Sequence, residues 1–335
     1  MSAVRIPEPP AVAAPPHLEW VPCNLCGEWD AAPLYRGTVD LTDARVDPQE
    51  VFACTSSHYG RYGPVVRCRA CGLAYLNPRL ATDAVQSAYE EVADTRYLEE
   101  REGRVHTFAR ALDELERHAR RGHLLDVGCH IGVFLELAVA RGWAARGIEP
   151  SHWASSHASG LGLAVDRGTL RGRAYPSGSF DVVTLWDVVE HFPDPAAELR
   201  EVHRVLRPGG LVGITTMNID SPVARVLGPR WPWLMQMHLY YFSVKTLSAL
   251  LARSGFQLVA VTPHRRIVRL SYLLSRAERW TPRLAESLQA AARRLGVAER
   301  LVPVDLGDIF TLFARRVDAP NGHENGHVVL ERVHA

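Results

Sequence analysis

Apolar positions in this chain of 335 residues change their period in a regular alternation. Leu124, Leu125 and Val127 make a short apolar run that ends at Gly128, as in a strand covered on both faces. Ile131, Phe134, Leu135 and Ala138 then follow at helical spacing. A second strand pattern covers 143–149 and ends in Glu149-Pro150, and a third covers 163–166. A fourth begins at Phe180 and runs through Trp186 and Asp187 into the turn Glu190-His191. Asp194 and Pro195 then supply an N-cap and a first-turn proline for a helix with Leu199, Val202, Val205 and Leu206 on one face. Pro208-Gly209-Gly210 stops it, and a fifth strand runs to Thr215. After a helix at 243–254, strand patterns return at 255–262 and 308–316. Strands alternating with helices predict an α/β, doubly wound, mostly parallel sheet.

The turn after the first strand carries the chemistry. Gly128 and Gly132 let a ligand approach the backbone closely. Glu149 ends the next strand about twenty residues on, where an acid accepts ribose hydroxyls in nucleotide-binding folds. In order and spacing, the glycine turn, Glu149, the Trp186–Asp194 stretch and the Pro-Gly-Gly strand resemble class I methyltransferases dependent on S-adenosylmethionine. The resemblance covers residues 123–262 and 308–316.

It implies a seven-stranded sheet whose last strand is antiparallel. It further implies that Asp126, Gly128, Cys129 and Gly132 hold the methionine portion of S-adenosyl-L-methionine, and Glu149 and Pro150 the ribose. Gly168, Thr169 and Leu170 would contact adenine, and Trp186 and Asp187 would face cofactor and acceptor. His130 departs from the family pattern, which has a small residue there, so a backbone contact at 130 is in question. A base assists if the acceptor is a hydroxyl or an acidic carbon. His191 is the first candidate by resemblance to quinone-biosynthesis enzymes, followed by His238, Tyr240 and Tyr241. Resembling enzymes also bring a tyrosine from the helical segment 81–122 to the cofactor, here Tyr89 or Tyr97, although either side chain equally suits core packing.

Ahead of that segment stand two knuckles, Cys23-Asn-Leu-Cys26-Gly and Cys68-Arg-Ala-Cys71-Gly. Two C-x-x-C pairs, each followed by glycine, predict one structural Zn2+ in a zinc-ribbon module at 18–80. With four protein ligands the ion has no open position for catalysis. A gap of 41 residues between Cys26 and Cys68 requires a hairpin insertion. Residues 1–17 and 318–335 read as disordered tails.

A formal charge of +1 supplies no global field for nucleic acid, and no apolar run is long enough to span a membrane. A cytoplasmic enzyme is expected. The aromatic and methionine-rich stretch 218–242 suits a lid over an apolar or flat acceptor. Residues 263–304 read as a helical insert before the last strand, with nine arginines against three glutamates. Such a segment suits an anionic membrane, a phosphorylated or lipid-linked acceptor, or a solvated face beside a second subunit. A four-cysteine ribbon ahead of this domain resembles bacterial biosynthetic enzymes. Nucleotide-sugar C-methyltransferases share it but add a large third domain, for which the sequence from 263 is too short. The expected function is O- or C-methylation of a small molecule. A ribosomal-RNA methyltransferase or a catalytically silent binding partner is the alternative.

Overall fold

A computed structural model describes residues 17–39, 51–55, 59–276 and 281–317. Both expected tails lie outside the described residues, apart from His17. The N-terminal part contributes strands β1 (Leu18–Glu19), β2 (Ala31–Tyr35), β3 (Val65–Cys68), β4 (Ala74–Leu76) and β5 (Arg79–Leu80). Helices Thr82–Glu91, Arg96–Glu99 and Arg101–Glu116 lead from these into the α/β domain. There β6 (His123–Val127), β7 (Ala144–Glu149), β8 (Val165–Arg167), β9 (Phe180–Trp186) and β10 (Leu206–Met217) alternate with helices. The remaining strands are β11 (Tyr240–Tyr241), β12 (Phe256–Pro263), β13 (Arg266–Arg269), β14 (Leu301–Val304) and β15 (Ile309–Arg316).

The central sheet has seven strands in the order β12-β15-β10-β9-β6-β7-β8. β10, β9, β6, β7 and β8 are parallel, while β15 runs antiparallel to both β10 and β12. This is the α/β sheet the sequence predicts, including its antiparallel last strand. The central strands β6 and β9 are largely apolar because helices cover both faces; Leu124, Leu125, Val182, Val183 and Leu185 are fully buried. Helix Pro195–Val205 starts as expected, with Asp194 accepting from the Ala197 N–H and Pro195 in the first turn. Ser243 and Thr246 form a capping box on helix Val244–Arg253.

One segment differs from the sequence reading. The insert is not wholly helical: β13 and β14 pair antiparallel at its two ends and bracket helices Leu270–Ser275 and Pro282–Arg294. Ile267-Val268, a β-branched pair, zips against Val302-Pro303, a contact between positions far apart in sequence. Arg279 and Trp280 of the insert lie outside the described residues. Part of the 218–242 stretch, Trp233 to Tyr240, packs into the wall of the cavity described below. Trp231 and Trp233 both donate their indole N–H to Asp308 Oδ2, at 2.9 and 3.0 Å. β11 within it pairs with β4, completing a four-stranded antiparallel sheet in the order β11-β4-β3-β2. One hydrophobic core therefore runs from Leu18, Cys23 and Tyr75 through Tyr241 and Phe242 to Leu125 and Val183.

Candidate active site

A cavity of about 930 Å³ opens at the carboxyl ends of β6, β7 and β9, where open α/β sheets bind ligands. Glu149, at the end of β7, sits in its wall with both carboxylate oxygens engaged. Oε1 accepts from the Ser151 N–H and Oε2 from the His130 N–H, each at 2.9 Å. Burial raises its pKa to about 7 against those two bonds. The His130 amide is thus already committed to Glu149. His130 adopts φ +49°, its ring stacks on Tyr97 at 3.7 Å, and burial lowers its pKa to about 3.

Gly128, Pro150, Gly168, Thr169, Leu170, Trp186 and Asp187 also line the cavity. Gly128 holds φ +69°, and a Cβ there would meet Val188 Cγ2 at 2.7 Å, so the turn requires glycine. Asp126, Cys129 and Gly132 stand behind the wall. Asp126 is buried and accepts from Thr184 Oγ1 at 2.7 Å, and burial raises its pKa to about 8. Cys129 packs where a Cβ on Gly147 would otherwise go, and Gly132 opens helix Val133–Ala140. These three shape the turn from below.

The opposite wall is built by the turn Val189–His191 and the 218–242 stretch. His191 Nδ1 lies 3.0 Å from the Met237 carbonyl and 2.7 Å from the Tyr89 hydroxyl. A carbonyl only accepts, so Nδ1 carries the proton and Nε2 keeps its lone pair. His238 repeats the arrangement, with Nδ1 2.8 Å from the Trp233 carbonyl. The two rings lie 4.9 Å apart, and burial lowers their pKa values to about 4 and about 3. Both imidazoles are neutral at pH 7. Tyr241 does not reach the cavity: it is fully buried and its hydroxyl donates to the Met235 carbonyl. Tyr240 does line it, but its hydroxyl is taken by Pro193 O and Arg79.

Three features escaped the sequence reading. Asp187, at φ +56°, pairs with Arg266 at 2.6 Å. Burial alone would raise its pKa, but Arg266, His264 and Arg104 together hold it below the ordinary value. Arg266 also lies 4.7 Å over the Trp233 ring, so the insert supplies part of the wall. Arg104 lies 3.5 Å over the Tyr97 ring and has no ion-pair partner among the described residues. Nothing in the sequence turned it inward. Glu190 is fully buried, accepts from Thr216 Oγ1 at 2.9 Å, and has its pKa raised to about 8 by burial and by Asp187.

Six cavity-lining residues carry buried polar atoms without a partner: Arg104 Nε, His130 Nδ1, Trp186 Nε1, Asp187 Oδ1, Glu190 Oε1 and Glu198 Oε2. Natural interiors rarely leave such atoms unpaired, so the wall is made for a polar ligand. Between pH 6.5 and about 8 the buried histidines His130, His191, His238 and His264 are neutral in the fold, and the raised carboxyls of Asp126, Glu149, Glu190 and Glu198 outweigh them. The folded chain keeps protons on these carboxyls that the unfolded chain has lost. Ligand-free stability should therefore fall between pH 6.5 and about 8. Melting temperatures that rise over this interval would contradict these carboxyl environments.

The four cysteines form a second arrangement, whose first knuckle, Cys23 to Cys26, also borders the cavity. Cys23 and Cys71 sulfurs lie 3.4 Å apart, Cys26 and Cys68 sulfurs 3.5 Å, and all four Sγ atoms fall within 4.8 Å of one another. A tetrahedral ion with Zn–S bonds of about 2.3 Å needs S–S separations of about 3.8 Å, so the residues fit. The knuckles match: Gly27 and Gly72 hold φ +83° and +84° and donate to the carbonyls of Cys23 and Cys68. The first knuckle is tied to the active-site wall. Asn24 donates to Asp194 Oδ1 and accepts from the Ala196 N–H, both at 2.8 Å. Buried Arg79 adds a bond to the Pro193 carbonyl at 2.9 Å.

Residues 97–261 match a family model described as a methyltransferase domain. The chain is 38% identical over 102 residues to a ubiquinone biosynthesis O-methyltransferase of Pseudomonas paraeruginosa, spanning 28% of this chain and 44% of that one. It is 36% identical over 122 residues to the protein of the same name in Azotobacter vinelandii, spanning 34% and 52%. The chain thus spans about half the length of these curated relatives. Among solved structures it is similar to an S-adenosylmethionine dependent methyltransferase from Mesorhizobium loti, at 22% identity and TM-score 0.41, over 61% of this chain and 96% of that one.

Proposed function

From a chain whose residues 97–261 belong to the class I S-adenosylmethionine-dependent methyltransferases, we propose an enzyme that methylates a hydroxyl of a small-molecule acceptor. The observation carrying this reading is one cavity that joins a nucleotide-type wall, Glu149 and Gly168 to Leu170, to a wall with two neutral imidazoles, His191 and His238. When bound, S-adenosylmethionine supplies an activated methyl group on a sulfonium. Glu149 would hold the ribose hydroxyls and Thr169 and Leu170 the adenine edge, with the unpaired guanidinium of Arg104 complementing the carboxylate.

The remaining work is orientation and one proton. Met237, Met235, Trp233 and Phe192 offer an apolar surface that suits a flat acceptor and keeps water from it. His191 accepts the hydroxyl proton at Nε2, while Met237 and Tyr89 hold its Nδ1 side in place. Glu190 Oε1 lies 3.9 Å from that Nε2 and would stabilise the imidazolium in its ionised form, which its raised pKa favours only towards pH 8. The ribbon cysteines hold Zn2+ as a structural ion, since four thiolates leave it no open position.

Glu149→Ala tests the cofactor assignment. A carboxylate's charge-assisted hydrogen bonds contribute about 1.5–3 kcal/mol, so affinity for S-adenosylmethionine should fall roughly 10- to 100-fold by calorimetry. Circular dichroism should report an unchanged fold. Glu149→Gln keeps one acceptor oxygen and should lose less. Unchanged affinity in both variants would remove Glu149 from the ribose site.

A further inference from the structure

The insert presents two unlike faces. Its inner side belongs to the catalytic cavity, through Arg266 and Tyr272. Its outer side is the helix Pro282–Arg294, which buries only Ala285 and Ala292. Leu284, Leu288 and Leu295 recur at i, i+4 and i+11, so they share one stripe, and they are 56%, 43% and 75% exposed. Arg283 and Arg294 stand about 100° or less to one side of that stripe by helical geometry. Both are exposed, as are Arg293 and Arg300, and none of the four has an ion-pair partner among the described residues. Glu286 is the one acid on this helix.

We propose that the helix Pro282–Arg294 docks lengthwise on an anionic lipid surface, with the leucines at the acyl boundary and the arginines on headgroup phosphates. Two observations select a lipid surface over a protein groove or a second copy. The leucines project from a convex helix and offer no recess for a partner's side chain. A two-fold contact through the same stripe would set unpaired arginines against each other, whereas anionic headgroups neutralise them. Arginine stems are long enough to lie along the apolar boundary with their charge in the headgroup layer. Charge and an apolar stripe on one helix are the two terms that interfacial binding combines.

The test is co-sedimentation of the full-length, metal-loaded protein with vesicles of phosphatidylcholine alone or mixed with phosphatidylglycerol. The protein should pellet with the mixed vesicles and stay in solution with the neutral ones. Raising salt from about 0.1 M to about 0.5 M should weaken the binding. Arg283→Glu/Arg294→Glu should weaken it by about tenfold or more, given the attraction of each charge for an anionic surface. Leu284→Ser/Leu288→Ser/Leu295→Ser should abolish it, with the melting temperature unchanged because all three side chains are exposed. Binding that survives the serine variant would be adsorption by general charge and would overturn the proposal. So would equal pelleting with neutral vesicles, or none with either kind. A serine-sensitive dimer in sedimentation equilibrium without vesicle binding would instead assign the stripe to a second copy.

Discussion

His191→Ala is expected to cut methyl transfer by about 10²- to 10⁴-fold while S-adenosylmethionine binds nearly as well as before. The split follows from position. His191 stands on the wall opposite Glu149 and Gly168, and its tethers run to Tyr89 and Met237, neither of which belongs to the nucleotide-type wall. Its pKa of about 4 in the ligand-free protein leaves Nε2 unprotonated at neutral pH, so the lone pair is available without prior deprotonation. The measurement uses cofactor with a labelled methyl group and whichever metabolite fraction the wild-type protein labels, with calorimetry for the cofactor. Tyr89→Phe removes one tether and keeps the ring, and should cost far less. Equal loss of transfer and of cofactor affinity would make His191 a packing residue. Unchanged transfer would mean that the acceptor needs no base, and would point to positioning alone.

Removing the metal is expected to cost more stability than any single change in the catalytic domain. Four-ligand zinc binding contributes an apparent ~10–16 kcal/mol in small modules, comparable to the whole stability of a typical domain. Cys68→Ser, or a strong chelator, should lower the melting temperature sharply, and elemental analysis should find one zinc per intact chain. The damage should travel. Asn24 and Arg79 reach from the ribbon to Asp194, Ala196 and the Pro193 carbonyl, just beyond His191. Hydrogen exchange should therefore quicken at 190–197 as well as at 18–80, while β6 and β7 stay protected. A metal-free chain that melts at the same temperature would end the structural-zinc reading. Quickening confined to 18–80 would uncouple the ribbon from the active-site wall.

Much of this architecture was legible because its signals are local. The glycine turn needs φ +69° at Gly128, Asp194 caps its own helix, and each buried strand is a continuous apolar run. The knuckle geometry also follows from neighbouring residues, Gly27 and Gly72. What stayed hidden depends on partners far away in sequence. Arg266 reads as one more charge of a basic insert until β13 brings it 2.6 Å from Asp187. Nothing near Trp231 and Trp233 in sequence announces that Asp308 accepts from both indoles. Asp126 looks like a ligand-facing acid, yet it points at Thr184 beneath the turn. Tyr241 is polar at one end and suited a site, but a fully buried hydroxyl needs only one partner, and the Met235 carbonyl provides it.

The short strand β11 has a consequence for how the chain can be cut. Tyr240 and Tyr241 belong by sequence to the α/β half, yet they pair with Tyr75 and Ala74 of the ribbon. A fragment that starts at the glycine turn would expose the backbone of β11 and the rings of Tyr240, Tyr241 and Phe242, all buried in the full chain. A fragment that stops after β5 would leave β4 as a bare edge. Neither half is a transplantable part. Exchanging the ribbon for that of another enzyme would have to carry residues 231–242 with it, and a graft respecting only the apparent boundary at 80 should aggregate.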